Sequence, residues 1–112
     1  MIIHKEMAAG GWLKFSLAEQ LANVGMDIDR TIRWRNKGDL EASKQAFERA
    51  LELISLTILD PKNRGARLKE LTRVREALID YFVYDNEYGS SDELWQNYFL
   101  DFNYLAAIRR GK

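Results

Sequence analysis

Apolar positions along this chain recur with the period of an α-helix in each of four successive segments. Leu17, Leu21, Val24, Ile28, Thr31 and Arg35 follow at alternating steps of four and three, and Ile32 and Trp34 broaden the stripe. That spacing lines one face of a helix with core-forming positions. The preceding Ser16-Leu17-Ala18-Glu19 has the form of a capping box, in which hydroxyl and carboxylate satisfy amides that a helix start leaves unpaired. A first helix is predicted over 17–37, with Gly38 just beyond its end. Gly25 lies inside this helix at a propensity cost of about 1 kcal/mol; its missing side chain lets a neighbouring helix come close.

Asp39 is placed to cap a second helix whose main stripe is Leu40, Phe47, Ala50, Leu51, Ile54 and Ile58. Leu53, Leu56 and Leu59 widen that stripe, which predicts burial on more than one side. Asp60-Pro61 ends it, because proline disfavours helical geometry in the residue before it. A third helix is predicted over 64–84, with Leu68, Leu71, Val74, Leu78, Ile79 and Phe82 facing inward. After a polar turn at 85–89, Ser90 and Glu93 suggest a second capping box. Leu94, Trp95, Tyr98, Phe99, Phe102, Leu105 and Ile108 then mark a fourth helix, with Gly111 past its end. Short connections make successive helices antiparallel neighbours. The predicted fold is an all-α, antiparallel up-down four-helix bundle over 16–112. Residues 1–15 are read as a loose leader from which Trp12, Leu13 and Phe15 can fold back. No segment alternates as a strand does.

Composition narrows the chemistry. A chain of 112 residues with 46% hydrophobic and 30% charged side chains suits one globular domain. Lys+Arg and Asp+Glu both number 17, so no global field recruits nucleic acid or membrane, and self-association is eased. There is no cysteine, which removes disulfides, thiolate catalysis and cysteine-ligated zinc. No apolar run reaches the roughly 18 residues a membrane span needs. The opening residues lack the layout of a secretory signal, so a cytoplasmic location is expected.

The sole histidine, His4, lies in the leader. Dimetal bundles need Glu-x-x-His on two helices, and serine triads need a histidine base, so neither chemistry fits. A phosphate-binding Gly-x-x-x-x-Gly-Lys-Ser/Thr loop is missing, as are the paired acidic motifs of helical magnesium-dependent nucleotide pyrophosphatases. No cofactor and no metal are expected. Trp34 and Trp95 are residues of the kind that stack a nucleotide base, or that fill cores and interfaces.

Charge is unevenly placed. The third helix starts basic, with Lys62, Arg64, Arg67, Lys69, Arg73 and Arg75, and ends acidic, with Asp80, Asp85 and Glu87. In an up-down bundle that basic start lies near Arg109, Arg110 and Lys112. Arg64, Arg67, Arg75, Arg109 and Arg110 are therefore candidates for contact with phosphates or an acidic partner. The opposite pole gathers Asp85, Glu87, Asp92 and Glu93 near Arg30, Arg33, Arg35 and Lys37. Trp95, Tyr98, Phe99, Phe102 and Tyr104 spread around the fourth helix. The first four of these are candidates for a homodimer interface.

Gly38-Asp39-Leu40-Glu41 through Ala46-Phe47-Glu48-Arg49-Ala50-Leu51-Glu52-Leu53, then Asp60-Pro61, resembles the second half of a tetratricopeptide repeat. That resemblance implies a helical protein-binding module. Six additional residues, Ile54 to Leu59, precede the Asp-Pro, and no second copy of the repeat occurs. In the third helix, Arg73-Val74-Arg75-Glu76-Ala77-Leu78-Ile79-Asp80-Tyr81-Phe82 resembles the signature helix of the HEPN superfamily (higher eukaryotes and prokaryotes nucleotide-binding domains). Arg73 matches the family's arginine and Tyr81-Phe82 its aromatic pair. The family's histidine falls on Ile79 or Asp80. The resemblance implies a dimeric helical bundle, often paired with a nucleotidyltransferase in toxin–antitoxin modules, and in many members an RNase. With no histidine in the motif it implies a non-catalytic module here. The alternative is a degenerate RNase using Arg73, Asp80 and Tyr81. The whole chain also resembles a small bacterial protein family, which implies no particular activity.

Overall fold

The computed structural model describes residues 11–110, and for Asn103 and residues 106–110 the backbone alone. A 3-10 turn, Gly11–Lys14, leads into four helices: α1 (Leu17–Asn36), α2 (Leu40–Leu59), α3 (Ala66–Phe82) and α4 (Asp92–Arg110). The fold is an all-α, antiparallel up-down bundle. Direction is read from paired residues. Thr31 near the end of α1 bonds Ser43 near the start of α2. Phe47 of α2 meets Phe82 at the end of α3, ring centres 5.0 Å apart, and Arg35 of α1 pairs with Asp92 at the start of α4.

Local chemistry sets most boundaries. Ser16 Oγ accepts from Glu19 N at 3.1 Å and Glu19 Oε1 from Ser16 N at 3.0 Å, a complete capping box. Asp39 caps α2 by accepting from Ala42 N at 3.0 Å. Gly38 supplies the left-handed turn between these helices, with φ +85°. Two expected boundaries move. The α4 cap is Ser91, whose Oγ accepts from Leu94 N at 3.1 Å. Ser90 instead donates its N–H to Asn86 Oδ1 within the preceding turn. Helix α3 begins at Ala66 rather than near Arg64, because Gly65 adopts φ +66°.

Helix α1 is the central rod. It packs most broadly on α2, then on α4, while α3 leans more lightly on α2. Leu21, Val24, Ile28 and Ile32 meet Phe47, Ala50, Leu53 and Ile54 of α2, Leu71, Val74 and Leu78 of α3, and Trp95 and Phe99 of α4 in one apolar core. Gly25 explains the closeness of α1 and α4: a Cβ built there would lie 2.5 Å from Phe99 Cβ. The predicted stripes are too wide at their edges. Trp34, Leu40, Leu59, Leu68, Leu94 and Leu105 are exposed, because only a thin α3 covers that flank of α2 and the stripes run past the bundle's poles.

Of the residues before α1 expected to fold back, two do so. Trp12 is 1% exposed and belongs to the core, and Phe15 packs beside it at 5.6 Å. Leu13 stays exposed, and residues 1–10 lie outside the described residues. A buried polar cluster holds this pole closed. Trp12 Nε1 donates to Thr57 Oγ1 at 2.9 Å. Gln20 Nε2 donates to Trp12 O at 3.0 Å and to Asp60 Oδ2 at 2.8 Å. Asn63 Nδ2 donates to Gln20 Oε1 at 3.1 Å and to Thr57 O at 2.9 Å. Lys62 forms an ion pair with Asp60. Burial raises the Asp60 pKa, but the bonds from Lys62 and Gln20 outweigh it and hold the carboxyl below its ordinary value.

Candidate functional site

The opposite pole, where α1 ends and α2 begins, carries a groove of about 230 Å³ lined by Thr31, Arg35, Leu40, Ser43, Lys44, Phe47, Phe82 and Val83. Its floor is fixed by helix chemistry. Thr31 Oγ1 donates back to Asp27 O at 2.8 Å, and Ser43 Oγ donates to Thr31 O at 2.8 Å. These bonds satisfy both hydroxyls and leave the groove's apolar wall to Phe47, Phe82, Leu40 and Val83. Leu40 is 69% and Val83 56% exposed at its rim.

One side of this groove is held by three groups from three helices. Arg35 of α1 forms an ion pair with Asp92 of α4, and Tyr81 of α3 donates its hydroxyl to Asp92 Oδ1 at 2.7 Å. Burial works to raise the Asp92 pKa, but the bonds from Arg35 and Tyr81 prevail and keep it below its ordinary value. The pKa of the Arg35 guanidinium is raised by its bond to Asp92. Burial, reinforced by the bond to Asp92, raises that of the Tyr81 hydroxyl. The triad ties α3 to α4 and α1 at the pole where the groove opens. All three side chains are protonically quiet near neutral pH, which suits positioning rather than proton transfer.

The residues that the HEPN resemblance implies do not converge. Arg73 is exposed, and no hydrogen bond or ion pair joins it to Asp80 or Tyr81 among the described residues. Asp80 is committed to the turn after α3, accepting from Glu87 N at 2.8 Å and Tyr88 N at 3.1 Å. Tyr81 is turned toward Asp92. Among the described residues no group of acidic or imidazole side chains could hold a metal ion.

The basic candidates scatter similarly. Arg64 Nε donates to Pro61 O at 2.6 Å, closing its own loop. Arg75 Nε reaches Ser55 Oγ at 3.3 Å and ties α3 to α2. Arg67 is exposed. Arg109 and Arg110 lie at the end of α4, and their side chains fall outside the described ones.

The aromatics read as dimer candidates divide between core and surface. Trp95 and Phe99 are each 3% exposed and fill the core of a single chain, because Gly25 lets α4 press its ring face onto α1. Tyr98 and Phe102 are half-buried, with Tyr98 5.0 Å from Phe99 and 5.4 Å from Phe102. Tyr98 Oη and Trp95 Nε1 are buried with no hydrogen-bond partner among the described residues. Burial, together with the Glu70 carboxylate, drives the Tyr98 pKa upward. The groove at the α1–α2–α3 pole is the surface that sequence reasoning missed. Its signal was Leu40 and Val83, apolar residues at helix ends that stay exposed.

No helix among the described residues is long and apolar enough to cross a membrane. Comparison of the chain with known protein families, with curated proteins and with solved structures finds no match.

Proposed function

We propose that this protein is a non-catalytic interaction module whose working surface is the groove between the ends of α1 and α3 and the start of α2, and that its first occupant is a second copy of the chain. The observation that carries this reading is the exposure of Leu40 and Val83 around a cleft walled by Phe47 and Phe82. Tyr84 and Tyr88, 72% and 66% exposed, extend the apolar surface around the same pole. A two-fold contact needs a patch that complements itself. This pole offers both signs of charge, with Arg35 and Lys44 lining the groove and Asp85 and Glu87 in the turn that follows Val83. The zero net charge of the chain adds no repulsion between copies.

The HEPN resemblance supports a dimer of this general kind and a nucleotidyltransferase as a later partner. The dispersal of Arg73, Asp80 and Tyr81 favours a binding role over RNase chemistry.

Light scattering after gel filtration tests the proposal at tens of micromolar protein. The wild type is expected to elute as a dimer, and Leu40→Glu and Val83→Glu as monomers with unchanged helical circular dichroism. A strictly monomeric wild type would sink the reading, and so would a dimer that both substitutions leave intact.

A further inference from the structure

The last two turns of α1, with Lys37 at its C-cap, carry a second surface that is independent of the groove. Arg30, Arg33, Trp34 and Lys37 line a shallow concavity of about 170 Å³. Their spacing of three, one and three residues places them on one face of the helix. Trp34 is 40% exposed, unlike Trp12 and Trp95, which are 1% and 3% exposed. Lys37 Nζ stands 5.3 Å from the centre of the Trp34 ring system. Arg30 is bonded to the buried Asp27 at 2.9 Å, which fixes one cation at the edge of the concavity. Arg33 and Lys37 have no carboxylate within ion-pairing distance among the described residues.

We propose that this face binds single-stranded nucleic acid, with a base stacked on Trp34 and flanking phosphates on Arg33, Lys37 and Arg30. Ring and charge together point to this ligand. Single strands are held by aromatic platforms set among cations, because every base has a stacking face and every linkage a negative charge. An exposed lysine–indole contact is weaker than a stacked base, so a base can displace Lys37 from the ring and leave its ammonium for the adjacent phosphate. An acidic peptide would use the cations but leave the exposed indole face without a role. Arg30 costs little to order, since Asp27 already holds it.

The three-tryptophan composition supplies the assay. Trp34 is the one accessible indole among the described residues, so quenching of intrinsic fluorescence by a 12-nucleotide oligothymidylate reports stacking at this position. Binding is expected at low salt, with strong quenching and affinity that falls as salt rises. Trp34→Ala should remove the quenching and weaken binding about tenfold by anisotropy of a labelled oligonucleotide. The Arg33→Gln, Lys37→Gln double variant alters only exposed side chains, so its fold is preserved. It should lower the slope of log affinity against log salt by roughly 0.7 for each phosphate that is no longer neutralised.

The proposal is overturned by absence of binding at low salt, by binding that leaves fluorescence and both variants unchanged, or by a poly-glutamate peptide that binds this face more tightly than the oligonucleotide. Light scattering on the same samples keeps this result separate from the fate of the groove.

Discussion

Replacing Gly25 with alanine sets two effects of opposite sign against each other. In an isolated helix the change is favourable by up to about 1 kcal/mol, because glycine loses more backbone freedom on folding than alanine. In this bundle the new Cβ would sit 2.5 Å from Phe99 Cβ and 2.9 Å from Phe99 Cγ. Carbon atoms rest comfortably at about 3.5–4.0 Å. Phe99 Cβ is bonded directly to the backbone, so rotation of its ring cannot relieve the contact. The α1 and α4 backbones must therefore separate by roughly 1 Å, which also loosens Trp95 from the core. Overpacking of this kind costs about 1–3 kcal/mol, and the severity of the overlap places this site toward the upper end. The net result is a loss of about 1–2 kcal/mol, or a melting temperature lower by roughly 4–9 °C for a domain of this size. Urea and thermal denaturation followed by circular dichroism measure it, with Met26→Ala on the exposed face of the same turn as the control. A Gly25→Ala protein as stable as the wild type, or more so, would refute the close approach of α1 and α4.

The buried cluster at the other pole gives a second prediction. Gln20→Ala should cost about 2–4 kcal/mol, because it leaves a hole and strips Trp12 O of its donor; chemical denaturation reads the loss, and a change below 1 kcal/mol would mean the cluster does not close the pole. The third concerns acid. Asp60 and Asp92 both have folded pKa values below their ordinary ones, so each contributes stability that is fully present above the unfolded value of about 3.9 and is lost as pH falls through the folded one. Stability should therefore decline below about pH 4, and Asp92→Asn should be slightly less stable at neutral pH with a shallower acid decline; an identical acid profile would argue against the triad with Arg35 and Tyr81.

The helices were legible because their signals are local. A capping box at Ser16, a left-handed Gly38 and the Asp60-Pro61 stop each act within a few residues, and each lies where the periodicity places it. The slip from Ser90 to Ser91 arises because Asn86 draws the Ser90 amide into the preceding turn, a competition that spacing alone does not reveal. The polar cluster was not legible, because Gln20 lies about forty residues from Thr57 and Asn63 and each reads as a surface residue until α1 and α2 pair. Trp95 and Phe99 were placed at an interface for a related reason: an aromatic helix looks overfull until Gly25 opens room for it. The pole groove shows the reverse error, in which Leu40 satisfied the periodic pattern yet extends beyond the helices that would cover it.

The burial of Trp12 against Thr57 also fixes where attachments emerge. A 20-residue helix α1 spans about 30 Å, and it lies between this pin and Arg35. Because α4 runs back alongside α1, its last residues return to the pinned pole as well. Gly11 and the last turn of α4 thus sit together at the end of the rod farthest from Leu40 and Val83, which leaves the groove clear of both.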